Sequence, residues 1–174
     1  MTKPVSPKKK AENKPFEFNG RVWFIEQDDI DTDMIFHNSH LTITDIEEMG
    51  RYALGNLEGY ESFAMEAKKG DILVAGKNFG AGSSRQQAVD CFLSLGISCI
   101  IAESYGAIYE RNAINAAFPI LSSSDIKNLE LNTGDPLYVN IKTGEVRNEK
   151  NNKTISARPF SEVQMEIYQN GGLF

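Results

Sequence analysis

Residues 71 to 121 constrain the fold more than any other stretch, because they alternate apolar runs with helix-like segments. Asp71-Ile72-Leu73-Val74-Ala75 is a short apolar run that leads into a glycine-rich turn, Gly76 to Ser84. Arg85 to Leu95 then places Ala88, Cys91, Phe92 and Leu95 three or four apart, the spacing of one helix face. Gly96 ends that helix. Ile97 to Ala102 reads as a strand buried on both faces. Ser104 is expected to cap a second helix through about Ala116, with Tyr105, Ile108 and Ala113 near its inner face. Phe118-Pro119-Ile120-Leu121 supplies a third strand. The pattern is a parallel βαβαβ unit with right-handed crossovers.

The flanks carry different patterns. Arg21 to Ile25 reads as a buried strand, followed by the acidic turn Asp28-Asp29-Ile30-Asp31-Thr32-Asp33. Thr44 with Glu47 three residues later predicts a capped helix, and Glu61 to Lys68 a second one. Beyond residue 124 come a short turn or helix, Asp125 to Leu131, and a turn at Thr133-Gly134-Asp135-Pro136. Leu137 to Ile141, Glu145-Val146 and Thr154-Ile155 follow as a β-hairpin and a further strand. Ser161 with Gln164 caps a closing helix through Gln169. The fold class is therefore α/β: one mixed β/β/α domain over residues 16–174, with a central parallel unit and a smaller C-terminal β portion. A length of 174 residues suits one core of this kind.

Charge separates the first residues from the rest. Residues 1–15 hold five lysines against Glu12, a net of +4 in a chain of −6, which leaves −10 on the remainder. That leader, rich in proline and lysine, is expected to be disordered and solvated. The acidic body argues against a nucleic-acid face. No apolar run approaches the ~20 residues that span a bilayer, and the first residues lack the apolar core of an export signal. Cys91 and Cys99 stand eight apart, without a Cys-x-x-Cys, and are expected as two reduced core thiols. A cytoplasmic location follows. Two cysteines cannot by themselves hold an iron–sulfur cluster, which takes about four ligands.

The glycine run Gly76-Lys77-Asn78-Phe79-Gly80-Ala81-Gly82-Ser83-Ser84-Arg85 matches none of three familiar loops. Its lysine follows the first glycine, so it is not a P-loop. Arg85 stands where a dinucleotide fingerprint needs a third glycine. Ser84 and Arg85 after Ser83 rule out a nucleophile elbow. A strand that ends in such a turn gathers backbone N–H groups, two hydroxyls and a guanidinium at one point. The combination suits an anion, a carboxylate above all. A plain helix cap at Ser83 or Ser84 is the alternative the residues leave open.

Three stretches in order resemble a known family. Asn78-Phe79-Gly80-Ala81-Gly82-Ser83-Ser84-Arg85 is similar to the signature of the swivelling domain of the aconitase superfamily. Asp29-Ile30-Asp31-Thr32-Asp33-Met34-Ile35 resembles that domain's Asp-x-Asp-Thr-Asp-x-Ile motif. Ser104-Tyr105-Gly106-Ala107-Ile108-Tyr109, with Asn112, resembles a third segment. Together they span roughly residues 20–122. A free-standing chain of this size resembles the small subunits of the isopropylmalate dehydratase group and its relatives acting on homoaconitate, citramalate or dimethylmalate.

The resemblance implies a hydro-lyase that removes and re-adds water on a substituted malate, active only with a large subunit that carries a [4Fe–4S] cluster. It implies that Ser83, as an alkoxide, takes the proton from the carbon next to a carboxylate. The helix N-terminus, loop N–H groups and Arg85 would favour that anion. It also implies carboxylate binding by Ser84 and Arg85, with Gly82 giving close backbone approach. Asp33 would lie near the active site and orient partner side chains. His40-Leu41-Thr42-Ile43 would line the substrate's side group. Thr42 cannot pair with a third carboxylate, which favours an apolar or small substituent, as in isopropylmalate, the substrate of leucine biosynthesis, or a methylated malate. His37 and His40 are expected as surface or substrate-adjacent histidines rather than metal ligands. Three departures stand near the loop: Gln86-Gln87 replaces the usual acidic residue after the arginine, Phe36 replaces a proline, and His40 a tyrosine. A non-catalytic anion-binding module remains the alternative to an enzyme subunit.

Overall fold

The computed structural model describes residues 14–173. The basic leader falls outside the described residues as far as residue 13. Lys14 and Pro15 are tied down: the Lys14 N–H donates to Gln169 Oε1 and Tyr168 donates its hydroxyl proton to the Pro15 carbonyl.

Seven strands form one sheet in the order β4-β3-β2-β1-β5-β6-β7. They are β1 (Glu17–Ile25), β2 (Ile72–Ala75), β3 (Cys99–Ala102), β4 (Ile120–Ser122), β5 (Pro136–Asn140), β6 (Glu145–Asn148) and β7 (Lys153–Ser156). The first four run parallel and the last three antiparallel. Between them lie α1 (Thr32–Ile35), α2 (Ile46–Met49), α3 (Phe63–Glu66), α4 (Gln87–Leu95) and α5 (Ala107–Asn115), and α6 (Glu162–Gln169) closes the chain.

β1 joins the two halves. Its first residues pair antiparallel with β5, as Phe18 with Val139, and its last pair parallel with β2, as Phe24 with Val74. The strand therefore begins four residues before the apolar run at Arg21, because β5 supplies partners for a segment that alternates polar and apolar. In β2, Leu73 and Ala75 face the core under α4 and α5, while Ile72 and Val74 face the core under β5–β7. A strand buried on both sides has no polar alternation, which is why the 71–75 and 97–102 runs read as continuous.

Several helix starts differ from the sequence expectation. Ser104 does not cap α5; its Oγ accepts the Asn78 N–H at 2.8 Å instead, and the helix starts at Ala107 after an uncapped Gly106. Ser83 and Ser84 do not cap α4, which starts at Gln87 without a side-chain cap. Asp45 rather than Thr44 caps α2, with Oδ1 accepting the Glu47 N–H. The helix expected over 61–68 is one turn, α3. The Ser104 hydroxyl accepts from the glycine run, that of Ser84 accepts from Asn112 of α5, and α4 begins too far along for either Ser83 or Ser84 to cap it. The capping box at Ser161 and Gln164 forms as expected, and both cysteines are buried and free.

Candidate active site

The three motif stretches lie side by side beyond the carboxyl ends of the parallel strands. Asp31 bridges Ala81 and Phe79 bridges Tyr105, so the glycine run is the middle of three extended segments. The Gly80 N–H donates to Ile30 O at 2.7 Å and the Thr32 N–H to Ala81 O at 2.9 Å. On the other side the Phe79 N–H donates to Ser104 O and the Gly106 N–H to Phe79 O. Glycine is required at position 80, where an added Cβ would lie 2.2 Å from the Tyr109 ring, and Tyr109 in turn donates its hydroxyl proton to Ala88 O in α4. Gly82 has φ +98°, in the left-handed region that side chains other than glycine rarely adopt.

The run then leaves its donors open. Among the described residues the N–H groups of Gly82, Ser83, Ser84 and Arg85 have no acceptor. Ser83 is exposed, and its carbonyl accepts the Thr32 hydroxyl at 2.9 Å while its own hydroxyl has no partner among the described residues. Ser84 Oγ accepts from Asn112 Nδ2 at 3.1 Å. Four successive free N–H groups beside a free hydroxyl are donors an anion can use. The dipole of α4 contributes less than its sequence position suggests, since the helix starts four residues after Ser83 and the effect fades within a turn.

Arg85 is held rather than free-swinging. Its Nη1 donates to Asp33 Oδ1 at 2.8 Å and to the Phe36 carbonyl at 2.9 Å, and its side chain is only 14% exposed. The Nη2 and Nε groups have no acceptor among the described residues, which leaves one edge of the guanidinium for a carboxylate. Asp33 also accepts the Asn38 N–H on Oδ1 and Asn56 Nδ2 on Oδ2. The Arg85 hydrogen bond holds the Asp33 carboxyl below its ordinary range, with the Asn38 N–H and His37 in support and burial opposing. Gln86 turns to Asp90, with Nε2 3.1 Å from Oδ1, and the carboxylate beside Arg85 comes from Asp33, 52 residues away.

The loop expected to line the side group sits against this pair. His40 stacks on Tyr52, ring centroids 4.0 Å apart, and Phe36 meets both edge-on. Gln87 Nε2 donates to the Leu41 carbonyl and so ties the loop to α4. Thr42 is exposed. Beside the loop opens a cavity of about 350 Å³ lined by His37, His40, Arg51, Tyr52, Gly55 and Asn56. The sequence reading missed Asn56 and Arg51, because an irregular loop offers no period that marks a facing residue. Asn112 lies within the third motif stretch.

The chain's own cysteines do not suit a metal cluster. Burial pushes both thiols up, so they stay protonated, and they lie in separate cores on opposite faces of the sheet. Among the described residues no group of three or more His, Cys, Asp or Glu is placed to hold a metal. No helix among them is long and apolar enough to cross a membrane.

Comparison with known proteins bears on the same residues. The model of the aconitase C-terminal domain matches residues 31–124, which include all of the site described above. The isopropylmalate/citramalate isomerase small subunit of Methanocaldococcus jannaschii is 40% identical over 154 residues, 88% of this chain and 89% of that one. The 3-isopropylmalate dehydratase small subunit of Halothermothrix orenii is 39% identical over 146 residues, covering 84% and 87%. A crystal structure of 3-isopropylmalate dehydratase from M. jannaschii superposes with a TM-score of 0.83 at 34% identity, over 90% of each chain.

Proposed function

Because this chain belongs to the aconitase C-terminal domain family, we infer that it is the small subunit of a two-chain hydro-lyase of the 3-isopropylmalate dehydratase kind. It works in the cytoplasm with a large subunit, interconverting 2- and 3-substituted malates for leucine biosynthesis. The observation that carries the reading is the open donor set at Gly82–Arg85 beside an unpartnered Ser83 hydroxyl.

Arg85 presents its free edge to one carboxylate of the substrate, and Ser84 with the loop N–H groups holds it in place. Fixing that carboxylate places the adjacent carbon against Ser83 Oγ. Ser83 takes the proton from that carbon, and hydroxide departs from the neighbouring carbon as the double bond forms. Re-addition of water in the other sense gives the isomer. The loop N–H groups and the Arg85 charge lower the cost of the serine anion. Asp33 and the Phe36 carbonyl fix the guanidinium plane, so a carboxylate meets it without reorganisation. A [4Fe–4S] cluster on the large subunit supplies Lewis acidity towards the departing hydroxyl; the buried thiols of this chain take no part.

The test is anaerobic reconstitution with the cognate large subunit, following the absorbance of the ene-diacid. Isopropylmalate, citramalate and dimethylmalate would be offered in turn. Turnover on an alkyl-substituted malate is expected. A cluster-loaded complex silent on all three would return the chain to the class of anion-binding modules.

A further inference from the structure

Resting on the dehydratase reading, we propose that Asn112 is a positioning residue, whose amide fixes the Ser84 hydroxyl as a donor to the substrate carboxylate. Asn112 stands in the interior of α5, where asparagine is a poor helix former. Among the described residues its side chain makes one hydrogen bond, and that bond leaves the helix, from Nδ2 to Ser84 Oγ at 3.1 Å. The helix that carries it is pinned. Tyr109, three residues earlier, is buried with its ring against Gly80 and 5.4 Å from that of Phe79, and its hydroxyl donates to Ala88 O at 2.9 Å. Before the helix, the Ser104 Oγ accepts the Asn78 N–H and the Gly106 N–H donates to Phe79 O. The segment 104–112 thus meets the glycine run at residues 78, 79 and 80, and Asn112 adds the contact at Ser84.

A serine hydroxyl has one proton to give and two lone pairs to receive with. The Asn112 NH2 group only donates, so it fills a lone pair of Ser84 and leaves the proton free. An ionised carboxylate only accepts, so a serine that still holds its proton is the partner it needs. Accepting one bond also polarises the O–H and strengthens the bond it gives. The two adjacent serines are thereby set apart. Ser84 is held with its proton available for binding, while the Ser83 hydroxyl has no partner among the described residues and is left to exchange its proton. Asn112 itself touches no substrate atom; it acts through Ser84.

The experiment measures KM and kcat of the reconstituted complex on isopropylmalate for Asn112→Ala, Asn112→Asp, Ser84→Ala and the Ser84→Ala/Asn112→Ala double variant. Asn112→Ala is expected to raise KM about three- to tenfold, the effect of one hydrogen bond, with kcat within about threefold of wild type. Asn112→Asp should raise KM roughly tenfold further, because a carboxylate there takes the Ser84 proton and repels the substrate. In the Ser84→Ala background Asn112→Ala should change KM by less than about twofold. The thermal midpoint and assembly of Asn112→Ala should match wild type, since alanine is the better helix former. An Asn112→Ala effect of equal size with and without the Ser84 hydroxyl would overturn the proposal, as would an Asn112→Asp complex no worse than Asn112→Ala. A Ser84→Ala complex with the wild-type KM would overturn it at Ser84 rather than at Asn112. A wild-type complex silent on isopropylmalate would defeat the dehydratase reading, and the proposal with it.

Discussion

The two halves of the sheet share β1 and handle their polar groups in opposite ways. In the antiparallel half the buried donors and acceptors are closed among themselves. Asn148 is fully buried, and its amide donates to the Leu129 carbonyl at 3.0 Å and towards Asp135. Asn140 Oδ1 accepts the Lys142 and Thr143 N–H groups and so finishes its own turn. At the carboxyl end of the parallel half the loops bind each other, and then four N–H groups and one guanidinium edge are left over. A buried amide without a partner costs stability, so closure is what a scaffold needs. Open donors on an exposed loop cost little and are what an anion site needs. On the proposed function, one half is support and the other the working end.

Substitutions in each half should therefore separate activity from stability. Arg85→Lys removes the fixed planar edge and keeps the charge; kcat/KM of the reconstituted complex is expected to fall ~10²–10³-fold with the thermal midpoint nearly unchanged. Asn148→Ala should do the reverse. It removes one of two donors to the Leu129 carbonyl, takes the Oδ1 acceptor from the Lys150 N–H, and should cost ~1–3 kcal/mol in urea unfolding, with kcat/KM per folded complex as in wild type. Loss of activity without loss of stability at Asn148 would break the comparison.

Asp33→Asn sharpens it, because the amide keeps the shape and drops the charge that holds Arg85. We expect about a tenfold loss in kcat/KM, with Arg85 less firmly placed. The folded Asp33 carboxyl lies below its ordinary value of 3.8, so its contribution to stability is complete above 3.8 and is lost as pH falls through the lower folded value. Wild type should therefore lose more stability than Asp33→Asn between pH 4 and the acid transition. The smallest effect is alkaline. Cys91 and Cys99 are raised by burial, so their contribution is complete below the ordinary thiol value of 9.0 and fades as pH rises beyond it. Urea midpoints from pH 8 to 10.5 should fall, and fall less steeply in Cys99→Ala.

Much of the support was legible in the sequence because burial writes itself as a period. The β2, β3 and α4 segments are continuous or helical in apolar spacing, and each formed within two residues of its expected start. Caps were read least well. Ser104 looks like a helix cap locally, yet the loop beyond β2 takes its Oγ, and Ser83 looks like one although α4 begins four residues later. The counterion of Arg85 was also beyond local reading: Asp33 is 52 residues away, and only the pairing of Asp31 with Ala81 brings the two together. Asn56 and Arg51 lie in a segment of short turns with no period, so nothing in their spacing marks the face they share.

The claim that the open end of the parallel half does chemistry turns on one atom, Ser83 Oγ. The most direct measurement is kcat on isopropylmalate for the complex reconstituted with Ser83→Ala, beside wild type at equal cluster loading and equal assembly. Loss of the base is expected to lower kcat by about 10²–10⁴-fold with binding of the large subunit intact. A Ser83→Ala complex that turns over within a few-fold of wild type would contradict it.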